Sequence, residues 1–199
     1  GRQVFDSRGN PTVEAEVYLK NKIKASAIVP SGASTGAHEA YELRDNNEKY
    51  FLGKSVLKAV KNINTVINKN LKNIKAKDQK KIDQILLNLD GTENKKKLGA
   101  NALLAVSLAA SKAAASSKKK ELYQHLGKKF LLPKPLVNII NGGAHADNNL
   151  KIQEFMIRPD SANNFMDAIE KCFLVIQNLK KILQSKKLST NVGDEGGFA

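Results

Sequence analysis

Val13-Glu14-Ala15-Glu16-Val17-Tyr18-Leu19, continued after Lys20-Asn21-Lys22 by Ile23-Lys24-Ala25-Ser26-Ala27-Ile28-Val29, is the stretch that decides the fold. Apolar side chains fill every second position: Val13, Ala15, Val17 and Leu19 first, then Ile23, Ala25, Ala27 and Val29. Neighbouring residues of a strand point to opposite faces, so the alternation predicts an antiparallel hairpin with one face against a core. Asn21-Lys22 lies between the halves. Asn tolerates a left-handed backbone, whereas Lys is not the favoured partner in a tight turn.

Outward from the hairpin, the polar stretch 31–49 reads as loop, and three helical patterns follow it. Val56, Val60, Ile63 and Ile67 recur at four, three and four residues, which makes one buried stripe. A second helix is capped by Asp78, runs through Ile82, Ile85, Leu86 and Leu89, and stops at Gly91. The third, from Gly99 to Ser117, is Ala-rich and apolar nearly all round in its first half, as a helix packed between other elements must be. A hairpin with a helical cluster makes an α+β domain. The composition changes at Leu132-Pro133-Lys134-Pro135, which places a boundary between domains 1–131 and 132–199. Beyond it, 136–140 and 153–157 read as short buried strands. Ser161 introduces a long helix with Phe165, Ile169, Cys172, Phe173, Ile176, Leu179 and Leu183 on one face. Residues 133–199 fall far short of the about 250 that a complete α/β barrel uses, so the expectation is the first part of such a barrel.

The 199 residues carry a net charge of +14. A charge of this size draws phosphate backbones. Yet only four of the 33 basic residues are Arg, the side chain that reads phosphate and base edges through its bidentate fork. The lysines are scattered over helix faces and ends, which fits a solvated surface and a bias in residue usage better than a clustered nucleic-acid footprint. No apolar run reaches the roughly 20 residues needed to span a bilayer, no secretory signal opens the chain, and a cytoplasmic location is expected. The single cysteine, Cys172, falls on an apolar stripe and reads as a buried hydrophobe rather than a reactive thiol.

Several segments carry chemistry. The small-residue loop Ser31 to Gly36 follows a strand directly, and its hydroxyls and carbonyls are hard oxygen donors suited to magnesium. Asn141-Gly142-Gly143-Ala144-His145 ends a strand with a Gly pair and a lone His. Such a His can be a plain hydrogen-bonded loop residue, or it can contact an anion or move a proton. Glu154, beside Gln153, sits among Ile152, Phe155 and Ile157, where a carboxylate is costly unless paired or functional. Glu195 lies in Gly193-Asp194-Glu195-Gly196-Gly197, whose glycines permit a tight turn at a strand end.

Seven segments in order resemble the enolase family: Asp6 to Glu14, Ser31 to Gly36, Leu89 to Thr92, Gly99 to Ala102, Asn138 to His145, Gln153 to Met156 and Val192 to Gly197. The likeness covers essentially the whole chain and is similar to bacterial enolases. It implies an α+β N-terminal domain, with an antiparallel three-stranded sheet and helices, followed by the first part of an enolase-type α/β barrel. It also implies a glycolytic lyase that dehydrates 2-phosphoglycerate reversibly to phosphoenolpyruvate through a magnesium-stabilised enolate. On this resemblance Ser34 would bind the second magnesium, and His145, Gln153 and Glu154 would line the substrate site, Glu154 also ordering the proton network. Glu195 would be the general acid for the leaving 3-hydroxyl. Sites of this superfamily are known to use a Lys or His base with one or two magnesium ions. The family's Lys base, main metal carboxylates and phosphate clamp map to no residue here, so residues 1–199 alone are expected to be inactive. Arg2 and Glu14 lie where family members build a homodimer contact. The resemblance also allows a surface or secreted secondary location and partnership in RNA-degrading assemblies. Against sugar-acid dehydratases of the broader superfamily, Ser31 to Gly36 together with Gln153-Glu154 favours enolase proper.

Overall fold

The computed structural model describes residues 1–31 and 36–199. They form two compact units, Gly1–Phe130 and Leu131–Ala199.

In the first unit β1 (Arg2–Phe5), β2 (Pro11–Tyr18) and β3 (Lys24–Val29) form an antiparallel sheet in that order. The register sets Val13 opposite Val29 and Ala15 opposite Ala27, so the alternating apolar positions share one face. Val13 and Ala15 are fully buried. Between β2 and β3 the left-handed residue is Lys22, at φ 65°, although Asn21 beside it tolerates that backbone more readily. Leu19 N–H donates to Ile23 O and Lys22 N–H to Leu19 O, the three-residue arrangement in which the left-handed position comes last.

The first helical stripe is present with an irregularity: α1 (Leu57–Asn62) leads into a π-helical turn, Ile63–Ile67, and then α2 (Asn68–Leu71). The wider turn still buries both Ile63 and Ile67. Helix α3 (Gln79–Asp90) starts on the Asp78 carboxylate, which accepts from Lys81 N–H, and ends on left-handed Gly91. Helix α4 (Ala100–Ser117) packs on β2 and β3, burying Ala102, Ala105 and Ala109 completely. Alanines let helix and sheet approach closely at little side-chain entropy cost. Buried Asp90 ties the α3–α4 connection: Oδ1 accepts from the Thr92 backbone N–H (3.0 Å) and hydroxyl, and Oδ2 from Leu98 N–H at 2.7 Å. Burial pushes its carboxyl up, but these bonds outweigh it and hold Asp90 below the usual range. The short α5 (Leu122–Leu126) completes this unit.

In the second unit β4 (Val137–Asn141) pairs antiparallel with β5 (Glu154–Ile157), with a bulge between Asn138 and Ile140. Phe198 adds a parallel bridge to Ile140 and an antiparallel one to Val192. The strands are less covered than the sequence suggests: Phe155 and Met156 are exposed, because the described residues of this unit bury few apolar side chains around them. Helix α6 (Phe165–Ser185) begins at an Asn164 cap, which accepts from Asp167 N–H, rather than at Ser161. Of its apolar stripe Cys172 is buried, while Phe165, Ile169 and Phe173 are exposed. Among the described residues no helix is long and apolar enough to cross a membrane.

Candidate functional site

The polar cluster of the second unit grows from the end of β4. Gly142 follows Asn141 and donates to Gln153 O at 3.0 Å, and Gly143 donates to Leu150 O at 2.7 Å. A Cβ on Gly142 would stand 2.5 Å from Ile152 O, so only glycine lets the returning chain lie this close. That approach brings Gln153 and Glu154 beside the short 3₁₀ turn Gly143–His145.

The His145 ring, 5% exposed, sits between both side chains. Gln153 Nε2 is 3.0 Å from His145 Nε2, and Glu154 Oε1 is 3.1 Å from His145 Nδ1. With the Gln153 amide donating, Nε2 accepts and the ring proton sits on Nδ1, facing Glu154. The Nδ1 contact is close but poorly aligned, leaving Nδ1 without a well-formed hydrogen bond. A buried imidazole with a neutral donor on one nitrogen and a carboxylate by the other can pass a proton or orient the carboxylate.

Glu195 is exposed on the turn that joins the Val192 and Phe198 bridges. Gly193 N–H donates to Gly197 O (2.8 Å) and Gly196 N–H to Gly193 O (3.0 Å). Asp194 N–H donates to His145 O at 3.1 Å, which joins this turn to the histidine. Asn141, fully buried, accepts from Gly197 N–H at 2.7 Å. Reasoning from residue types misses Asn141. The signal available is its position as the last strand residue before a Gly pair, and nothing in the spacing announces that its amide would reach a turn 56 residues away.

The expected magnesium ligand Ser34 lies outside the described residues. Ser31 before it donates to Glu42 Oε1 (2.7 Å) and accepts from Arg44 Nη2 (2.9 Å), while Arg8 Nη2 donates to Ser31 O at 2.7 Å. Gly36 after it donates to Glu39 Oε1 at 2.9 Å. Magnesium requires several converging oxygens. Among the described residues no three acids, cysteines or histidines converge to hold a metal ion.

Arg2 and Glu14 stand cross-strand from each other and form an ion pair at 2.6 Å in the first unit. Arg2 also reaches Glu16 at 3.0 Å, and the Tyr18 hydroxyl donates to Glu16. The Tyr18 hydroxyl first, and then Arg2, pull the Glu16 carboxyl down to about 2.

Residues 1–126 match the enolase N-terminal domain family, and residues 129–199 match the enolase C-terminal TIM barrel domain family. The chain belongs to the enolase family. It is 62% identical over 200 aligned positions to the enolase of Pelagibacter ubique (strain HTCC1062), an alignment that takes in all of this chain and 48% of that protein. The enolase-family chain described here thus spans about half the length of the curated relative it matches. Within the enolase assignment, the sheet and helices of the first unit are the N-terminal domain fold, and β4, β5 and α6 are the start of the TIM barrel domain.

Proposed function

We propose that the protein to which this chain contributes is a phosphopyruvate hydratase, which interconverts 2-phosphoglycerate and phosphoenolpyruvate in glycolysis. The observation that carries the reading is the buried His145 held between Gln153 and Glu154, with its carbonyl tied to the turn that bears Glu195. A site of this kind offers donors to an anionic acid and carboxyl groups for proton movement.

In the dehydration direction the leaving group is hydroxide, which departs poorly unless it is protonated. Glu195 gives that proton to the 3-hydroxyl. Glu154 and His145 keep the neighbouring proton network in order, and Gln153 and His145 line the substrate site. Magnesium is the family's metal; when bound it would offset the negative charge that builds on the substrate carboxylate as the proton next to it is removed. Ser34 is the oxygen donor this chain would contribute to it. Domains 1–131 and 132–199 carry these parts, in a cytoplasmic homodimer that uses the Arg2 and Glu14 region.

In the full-length protein Glu195→Gln keeps the size of the side chain and removes its proton. Turnover of 2-phosphoglycerate is expected to fall by about 10²–10⁴-fold. An undiminished rate, followed by the absorbance of phosphoenolpyruvate, would sink the assignment of the acid. Residues 1–199 by themselves are expected to give no turnover.

A further inference from the structure

We infer that Asn141 is a positioning residue for Glu195: its amide fixes the Gly193–Gly197 turn and so sets where the acid stands. The inference rests on the proposed role of Glu195.

Among the described residues no hydrogen bond holds the Glu195 carboxyl directly, and its place follows from the backbone beneath it. That backbone has two outside anchors, Gly197 N–H on Asn141 Oδ1 at 2.7 Å and Asp194 N–H on His145 O at 3.1 Å. Asn141 is itself immobilised from three sides. Its N–H donates to Phe198 O at 2.8 Å, its carbonyl accepts from Asn148 Nδ2 at 3.0 Å, and its side chain is fully buried. The turn lies flat on it: a Cβ on Gly193 would fall 2.8 Å from Asn141 Cβ, and one on Gly197 would fall 2.7 Å from Asn141 Oδ1. The two glycines therefore make room for the amide, as well as allowing the bend.

The choice of an amide has a chemical reason. Asn141 Nδ2 has no partner among the described residues, so the side chain acts on the turn through its oxygen. An aspartate would supply the same oxygen, but it would bury a third carboxylate beside the segments bearing Glu154 and Glu195. A buried carboxylate without a cationic partner is costly, so the neutral amide is the better acceptor here. A proton donor works only within a few tenths of an ångström of its productive place, so slack in the turn costs rate more than binding.

The test uses the full-length protein with N141A, N141D and, as control, E195Q. N141A is expected to lower kcat about tenfold, in line with a lost hydrogen bond, with KM within about twofold. N141D keeps an acceptor for Gly197 N–H. It is expected to recover part of kcat. Amide exchange is expected to quicken at Gly197 in N141A while Phe198, held by Ile139 O, stays slow. An unchanged kcat in N141A, or a loss of kcat that N141D does not restore in part, overturns the inference. If N141A does not fold, N141D decides alone: slow exchange at Gly197 with most of kcat kept supports the inference, and quickened exchange with full kcat, or slow exchange with kcat lost, overturns it. Full activity of E195Q would bring down the acid assignment instead, and unchanged exchange at Gly197 would bring down the clamp whatever Glu195 does.

Discussion

The two units of this chain hold their functional and structural residues in place by different means. In Gly1–Phe130 the organising force is apolar burial: Val13, Ala15, Val56, Ala59, Ala102 and Ala105 are fully enclosed between the sheet and its helices. In Leu131–Ala199 the buried apolar residues are Ala168, Cys172 and Phe198, whereas Met166, Phe173, Leu174 and Met156 are about half or more exposed. Yet the second unit holds the cluster of Asn141, His145, Gln153 and Glu154, placed by main-chain hydrogen bonds and by glycines at close approach. Hydrogen bonds are directional and the hydrophobic effect is not, so main-chain bonds and close-approach glycines can orient these side chains within residues 131–199.

The sharpest way to break this contrast is a pair of truncations. Ile67→Ala removes a side chain 1% exposed and is expected to cost about 2–5 kcal/mol of unfolding free energy in urea titrations. Phe173→Ala, at a site 58% exposed, is expected to change stability by no more than about 0.5 kcal/mol. Comparable losses would mean that α6 is packed as firmly as the core of the first unit.

A smaller effect probes the polar side of that first unit. Asp90→Ala strands the N–H groups of Thr92 and Leu98 and is expected to cost about 1–3 kcal/mol. The sign with pH follows from the lowered carboxyl. Its contribution is complete above the unfolded value, about 3.9, and drains away as pH falls through the lower folded value. Acid titrations of the parent and of Asp90→Ala should therefore converge as pH falls below about 4. Curves that stay parallel there would show that Asp90 is no more stabilised as an anion in the folded chain than in the unfolded one.

The smallest effect lies on the exposed face of the sheet. Tyr18→Phe removes the hydroxyl that does most to lower Glu16, and the Glu16 titration, read by carboxyl NMR, should rise from about 2 toward the ordinary range. No change would assign the shift to Arg2 and Lys24.

Where local pattern and burial agree, the sequence is readable. The Val13 to Val29 alternation, the Asp78 cap, the Gly91 stop and the Ala-rich α4 are all short-range signals, and each reports its own element. What escapes depends on partners distant in the chain or on one-residue choices. The π-helical turn at Ile63–Ile67 buries the same stripe as a regular helix would, so periodicity does not reveal it. The left-handed position falls on Lys22 because loop length outweighs the preference of Asn21. The cap moves from Ser161 to Asn164, where an oxygen meets Asp167 N–H. The strands of the second unit read as buried from their composition, but composition does not say what covers them. At the site, His145, Gln153 and Glu154 stand out by residue type, while Asn141 acts through a contact that only folding creates.

Cys172 shows what such a layout makes observable. It is the chain's sole sulfhydryl and is 4% exposed on α6, in the unit with the thinner interior. A bulky thiol reagent can reach it only when that helix lifts away, so its labelling kinetics form a built-in clock for the breathing of α6.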